Sequence, residues 1–300
     1  MKKTILLFLV FLFTSLLPAI SFSQDLMDVF GQEEPQTDYA YATFKTTRVV
    51  SGHSVENPAS GVLLFMISHN FGKVNSGGYE FFGLDNSTIR LGLEYGITPY
   101  LTVGVGRSSY EKTFDGFLKA RLLRQSKGAK NMPVTLTLFT SMDLNSMKWQ
   151  YPERKNYFSS RLSFVHQVLI ARKFSNSLSL QLTPTFIHRN LVATASEDND
   201  TYAAGFGGRY KITQRVSFNA EYFYILPGTV ADNAENPLSI GFDIETGGHV
   251  FQLHFSNAQP MFDRGLITKT TGKWQNGDIY FGFNISRVFT IREPSAPESR

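Results

Sequence analysis

The sequence predicts a transmembrane antiparallel β-barrel, and three observations support that prediction. After residue 60 the chain repeats a unit of alternating apolar and polar side chains followed by a turn, as where Leu91, Leu93 and Tyr95 alternate with Gly92 and Glu94. A secretory leader precedes these units, and their apolar faces are rich in aromatic residues. Alternating runs of about 9–11 residues are typical of strands that cross a membrane, whereas soluble sandwiches favour shorter strands. The pattern therefore indicates an outer-membrane location.

Residues 1–23 have the pattern of a signal peptide. Lys2 and Lys3 form the charged start, an apolar core follows, and Ser21 and Ser23 are small residues at the −3 and −1 positions of a cleavage site. The apolar core is shorter than the ~20 residues that a membrane-spanning helix needs, which argues against a retained anchor. We therefore expect cleavage after Ser23.

The remaining chain divides by composition into three parts. We expect residues 24–60 to form a periplasmic segment, residues 61–290 to form the barrel, and residues 291–300 to form a polar tail. Within the first part, residues 41–60 are expected either as a short strand or as a segment inside the barrel mouth, and the sequence leaves both open.

Charge and composition exclude several classes of function. Removal of the leader takes away two lysines and no acidic residues, so the mature chain carries 29 − 2 = 27 basic and 25 acidic residues. This near-neutral balance gives no reason to expect nucleic acid as a partner. The chain has no Cys, and no two histidines have zinc-ligand spacing, so we expect neither a metal site nor a cofactor. The 27 Phe and 13 Tyr suit a wall that contacts membrane lipid.

Twelve strands are expected, joined alternately by short turns and longer polar loops. Because outer-membrane barrels have short periplasmic turns and longer external loops, this alternation requires an even strand number and places both termini in the periplasm. Pro184 lies inside the seventh strand and cannot donate to its ladder, so a bulge is expected there. The expected strands are 61–71, 87–97, 101–108, 114–123, 134–142, 158–171, 178–188, 201–211, 216–226, 237–245, 249–257 and 278–289.

Several segments resemble a known family. Phe82-Gly-Leu-Asp-Asn-Ser-Thr-Ile-Arg-Leu-Gly-Leu-Glu-Tyr-Gly-Ile-Thr98, the following residues 101–117, and Thr43-Phe-Lys-Thr-Thr-Arg-Val-Val-Ser-Gly-His-Ser-Val-Glu56 resemble membrane-bound β-barrels of unknown function from Gram-negative bacteria. The resemblance covers residues 41–290 and implies a barrel in the outer membrane, with no implied activity. The last strand, 278–289, also resembles the C-terminal strand that barrel-assembly machinery recognises, so that machinery is an expected partner besides membrane lipid.

The alternating pattern predicts that the charged side chains face the barrel lumen, because a charge on the lipid face has a high free-energy cost. Both signs are present, which leaves two interpretations open: an ion-pair network that fills a narrow barrel, or a wet channel or solute site between opposed charges. We favour a small passive, porin-like channel or solute-binding barrel. The residues expected to line its lumen and bind a small solute are Arg90, Glu94, Lys119, Arg121, Arg161, Arg209, Glu221, Asp243 and His254.

Two functions of other classes remain open. His254-Phe255-Ser256-Asn257 resembles the His-x-Ser-Asn string of outer-membrane phospholipase A, which would make Ser256 a nucleophile and His254 its base. Two departures weaken this interpretation: Ala258 replaces the glycine of that family, and alternation places His254 inside the barrel. The other alternative is a structural or partner-binding barrel that works through residues 24–60 or the long loops.

Overall fold

The computed structural model describes residues 36–194 and 197–293, and the expected signal peptide lies outside them. Twelve antiparallel strands form a closed barrel, in which each strand pairs with its neighbours along the chain and the last strand pairs with the first. A short additional sheet joins β1 (Thr37–Tyr39) and β6 (Ser126–Gly128). The barrel strands are β2 (Val62–Lys73), β3 (Ser87–Thr98), β4 (Leu101–Ser108), β5 (Thr113–Leu123), β7 (Thr135–Asn145), β8 (Leu162–Lys173), β9 (Leu178–Arg189), β10 (Asp200–Lys211), β11 (Val216–Ile225), β12 (Leu238–Thr246), β13 (His249–Ser256) and β14 (Tyr280–Thr290).

The predicted twelve-strand barrel is confirmed, with connections that differ at its two ends. One end, here called the turn end, carries the start of β2, the end of β14 and turns as short as residues 247–248. The other, the loop end, carries longer connections such as residues 74–86 and 257–279. The assignment of the turn end to the periplasm remains a prediction.

The bulge expected at Pro184 is wrong. β9 keeps one continuous register with β10 and does not shift register against β8. Pairing with β8 is instead interrupted between the Gln167–Thr185 and Ile170–Leu182 pairs, because proline has no N–H to donate to the ladder. A groove of about 650 Å³ on the outer wall lies over this interruption.

The outer wall is apolar, as alternation predicts. Leu91 and Phe255, for example, are 46% and 44% exposed toward the membrane. His69 and His166 also lie on this face. The His69 ring stacks on Phe283, and His166 Nδ1 lies 2.9 Å from the hydroxyl of Thr140. None of the helices in the described residues is long and apolar enough to cross a membrane.

The inside of the barrel is filled by two segments that are not part of its wall. Residues 42–57, here called the plug, fill the turn end, which decides between the two expectations for this region: the segment lies inside the barrel. Residues 257–277, the inner loop, enter from the loop end and contain the helix Asp263–Thr268, every residue of which is buried. The plug, the inner loop and the wall share a hydrophobic core of Phe44, Val49, Val50, Val55, Ala258, Leu266 and Ile267 against Phe117, Phe139, Val165, Leu169, Ala171, Ile187, Ala203, Phe223 and Ile225.

Candidate functional site

The plug contains a tight hairpin whose tip binds a carboxylate of the wall. Arg48 and His53 form an antiparallel bridge, and the N–H of Val49 donates to the carbonyl of Gly52 at 2.9 Å. The N–H groups at the tip converge on Glu221 of β11. Its carboxylate accepts hydrogen bonds from the main chain of residues 50, 51 and 52 at 3.2, 2.8 and 3.1 Å. Successive backbone N–H groups of this kind form a concave anion site, here occupied by the wall.

Two amide side chains of the wall also bond to the plug main chain. The Gln181 amide nitrogen donates to the carbonyl of His53 at 2.8 Å, while its oxygen accepts from the N–H of Val55 at 2.9 Å. Asn284 donates to the carbonyl of Val50 at 2.9 Å. These side chains replace the partner strand that would otherwise satisfy these buried backbone groups.

Basic wall residues bind the carbonyl groups of the plug. Lys119 Nζ donates to the carbonyl of Glu56 at 2.5 Å, and Arg121 donates to the carbonyl of Val55 at 3.2 Å. Arg121 also lies 3.5 Å from the carboxylate of Glu56. Both cations lie on β5, and both bind the C-terminal end of the plug, which precedes β2.

A second group of polar wall residues surrounds Arg209. Its guanidinium donates to the carbonyl of Ala42 at 3.0 Å and to the hydroxyl of Ser217 at 3.1 Å. Ser217 in turn donates to Asp243, whose other carboxylate oxygen accepts from the amide of Gln252 at 2.8 Å. This network connects the plug to β10, β11, β12 and β13.

Ion pairs join the plug side chains to the wall. Arg48 lies 3.1 Å from the carboxylate of Glu94, a buried pair. Lys45 pairs with Glu245 near the turn end. Three wall acids on three strands, including Glu221, therefore have charged or N–H groups of the plug as partners.

The plug meets the inner loop at His53. The His53 ring nitrogen Nε2 lies 3.6 Å from the carboxylate of Asp263, and the ring packs on Phe117 and Phe139 at centroid distances of 4.7 and 4.2 Å. Burial, together with the charge of Arg48, lowers the pKa of His53 well below its usual value, so the ring is neutral near pH 7. Burial raises the pKa of Asp263 to about 6.

The inner loop is held by an ion-pair cluster of its own. Arg264 donates to Glu111 at 2.8 Å and lies 3.6 Å from the carboxylate of Asp143 on β7. Near the start of the inner loop, Asn70 donates to the carbonyl of Gln259 at 3.0 Å. The lumen is thus filled from both ends by segments that the wall binds through polar groups.

The predicted lumen residues point into the barrel, with one exception. Arg161 lies on a 3₁₀ turn ahead of β8, where its guanidinium donates to the carbonyl of Asn145 at 2.8 Å and stacks on Trp149. The prediction that Arg161 lines the lumen is wrong, because β8 begins only at Leu162 and Arg161 lies in the turn before it. The solute-binding role of the other eight remains a prediction; they are Arg90, Glu94, Lys119, Arg121, Arg209, Glu221, Asp243 and His254.

Sequence reasoning missed the apolar part of the inner wall. Phe139, Val165, Leu169 and Ile187 are buried inside the barrel, where only polar residues were expected. A signal for them exists: β8 carries apolar residues at both alternate positions, as strands covered on both faces do.

His254 and Ser256 do not form a nucleophile–base pair. The His254 nitrogen Nε2 lies 2.8 Å from Asn70, while the Ser256 hydroxyl accepts from Ser239 and from the N–H of Ala258. Within the described residues no hydrogen bond joins the two, and both are buried inside the barrel, away from lipid. The lipid-hydrolase alternative is not supported.

Fold and lumen together define a membrane-spanning β-barrel of the outer-membrane type, filled by its own chain. The chain belongs to the family described as Membrane bound beta barrel domain (DUF5777), whose model matches residues 44–289. No curated protein matches the chain.

Among solved structures, the chain is similar to several membrane barrels. The NanC porin is 8% identical, with 76% of this chain and 98% of that chain covered and a TM-score of 0.47. An outer membrane channel from Pseudomonas putida F1 is 16% identical over 78% and 97% of the two chains, with a TM-score of 0.46. Omp33 of Acinetobacter baumannii is 9% identical over 78% and 100%, with a TM-score of 0.42.

Proposed function

We propose that this protein is a small-solute channel of the outer membrane that is closed by its own plug. The observation that supports this most is that the lumen wall is polar and charged, yet its groups bond to a segment outside the barrel ladder. Because the plug precedes β2 and contributes no barrel strand, it can move out through the turn end while every ladder bond of the wall stays intact.

The closed state leaves little room beside the plug. The cavity bordered by Val49, His53, Glu221 and Phe223 measures about 10 Å³, which holds one water molecule at most. A path that passes through this cavity requires that the plug moves.

Membrane lipid is the first partner of the channel, since the outer wall is apolar. We also expect barrel-assembly machinery to recognise β14, where Phe281, Phe283 and Ile285 alternate with polar or small residues up to Phe289. Removing the aromatic ring of Phe289 should slow membrane assembly in cells without changing the channel of refolded protein.

A reversible crosslink tests whether movement of the plug opens the lumen. A Cβ atom at Gly207 would lie 3.2 Å from a terminal carbon of Val49, close enough for Val49→Cys and Gly207→Cys to form a disulfide. The native chain has no cysteine, so this would be its only disulfide. We expect the oxidised double variant to be silent in a planar bilayer and to show salt-dependent channel openings after reduction.

The two single-cysteine variants are the matched controls, and reductant should leave both unchanged. Oxidised and reduced protein that stay equally silent would favour a structural or partner-binding barrel. Equal conductance in both states would show that the plug does not close the path.

A further inference from the structure

We propose that the solutes of this channel are short peptides, bound by the same wall groups that hold the plug. This inference rests on the proposed channel function and names its substrate class. The plug is itself a peptide, and most hydrogen bonds between the wall and the plug go to main-chain atoms of the plug. Groups arranged in this way recognise a peptide backbone with little regard to its side chains.

The wall offers acceptors and donors in the pattern that a peptide main chain needs. Glu221 and the Gln181 oxygen accept from N–H groups, while Lys119, Arg121 and Asn284 donate to carbonyls. A neutral sugar or polyol offers hydroxyl groups and has no charged ends for the basic and acidic groups of this wall. These wall donors and acceptors therefore suit a solute that has amide groups and charged ends.

Two basic wall groups, Lys119 and Arg121, stand across the lumen from three acidic ones, whereas Glu94 on β3 and Arg209 on β10 lie outside this division. β5, with Lys119 and Arg121, lies six strands from β12 in the ring of twelve, by way of β13, β14, β2, β3 and β4. Asp243 and Glu245 lie on β12, and Glu221 lies on the adjacent β11. Such a lumen orients a solute with a carboxylate at one end and an ammonium group at the other.

The balance of uncovered charge argues against a simple anion or cation channel. When the plug leaves, three wall acids and three wall bases lose their plug partners: Glu94, Glu221, Glu245, Lys119, Arg121 and Arg209. Every hydrogen bond of Glu221 within the described residues is to the plug, so an open lumen leaves this carboxylate for water or solute. A short peptide satisfies both signs at once.

Binding of tetraglycine by the full-length protein in detergent tests this proposal. Lys45→Ala combined with Arg48→Ala removes two plug ion pairs and loosens the plug without changing the wall. Calorimetry of this variant should show tetraglycine binding, with no comparable binding of tetraethylene glycol, a chain of similar length that has no charges. With the plug already released in this variant, Glu221→Gln has no closed state left to open, so it should weaken tetraglycine binding about tenfold by removing a charged acceptor.

Glu153→Gln is the matched control, because it makes the same change at an exposed residue of the loop end and should leave binding unchanged. Heat-dependent gel mobility shows that each variant remains a folded barrel. Equal affinity for tetraglycine and tetraethylene glycol, or no weakening by Glu221→Gln, would overturn the peptide proposal. Peptide binding by a barrel that never conducts would instead reject the channel and retain the peptide site.

Discussion

Among the residues that the structure describes, the buried carboxylate of Glu221 has no cation as its direct partner. Instead of a cation, three N–H groups of the plug tip donate to the carboxylate. Its negative charge is therefore stabilised by backbone dipoles and by charge-assisted hydrogen bonds. The contact is also close: a Cβ at Gly52 would lie 3.1 Å from the Phe223 ring and 3.3 Å from Glu221 itself. Glu221 is therefore the wall residue on which the seating of the plug depends most.

Glu221→Gln should open the channel. The glutamine side chain keeps one oxygen but presents an NH₂ group to backbone donors, so buried N–H groups lose their acceptor. Loss of a hydrogen bond to a charged group costs about 1.5–3 kcal/mol, which corresponds to a rise in open probability of roughly ten- to a hundredfold. Single-channel recording measures the open probability, with Glu153→Gln, at an exposed residue of the loop end, as the unchanged control. An unaltered open probability would contradict the role given to this carboxylate.

The contact between His53 and Asp263 makes closure depend on pH in two opposed ways. The pKa of His53 is lowered in the closed state, so acid stabilises the open state as pH falls below the usual histidine value of about 6.5. The pKa of Asp263 is raised to about 6, so its protonation stabilises the closed state as pH falls through 6. Arg48 faces both groups and stays charged in this range.

Separate variants should reveal the two opposed effects. Between pH 7 and pH 5, Asp263→Asn should open further as pH falls, because only the histidine effect remains. His53→Asn should close further over the same range. The measurement is open probability at each pH, and the same direction of change in both variants would contradict the assignment.

At the scale of elements, the inner loop depends on Gly265. A Cβ at this position would lie 2.6 Å from Pro260 and 2.7 Å from the ring of Phe262, so Gly265→Ala displaces the helix Asp263–Thr268 from its seat. We expect trypsin to cleave at Arg264, which is buried in the native protein. Gly248→Ala is the matched control, because no atom lies within 4 Å of its Cβ position. A trypsin-resistant Gly265→Ala protein would show that the inner loop tolerates the change.

The strands could be predicted from the sequence because alternation is a local property. Lipid on the outside requires an apolar side chain at every second position, and β3, β9 and β13 keep that pattern except near one end, at Ser87, His188 and His249. The effect of Pro184 was harder to predict, since the missing N–H allowed either a bulge or an interrupted ladder. The structure has the interrupted ladder.

The candidate site was less predictable, because its partners are far apart in the chain. Glu221 lies 170 residues from Ser51 in the chain. No local sequence pattern indicates that a carboxylate in β11 binds the tip of a hairpin that precedes β2. The sequence did predict that Glu221, Lys119 and Arg121 face inward. The segments that fill the lumen could not be predicted from the sequence, because they are held by contacts between residues far apart in the chain.

At the scale of the whole molecule, the barrel is closed by two segments that meet in its centre. The plug fills the turn end and the inner loop fills the loop end, and their polar contact is the pair of His53 and Asp263. A hydrophobic core also joins the two, with Val55 of the plug and Leu266 of the inner loop in the same cluster. Movement of the plug therefore also removes contacts that hold the inner loop, so the two segments can move together.

Charge reversal on β5 tests the layout of the open lumen. The open wild-type lumen exposes three acidic and three basic wall groups, so we expect weak ion selectivity. Lys119→Glu with Arg121→Glu leaves five acids and one base, and the reversal potential in a KCl gradient should shift toward that of potassium. The neutral pair Lys119→Met and Arg121→Met should give a smaller shift in the same direction. Arg161→Glu reverses a charge at the loop end, where the side chain stacks on Trp149, and should change the potential little. A current whose selectivity is the same in all these variants would show that ions do not pass along β5.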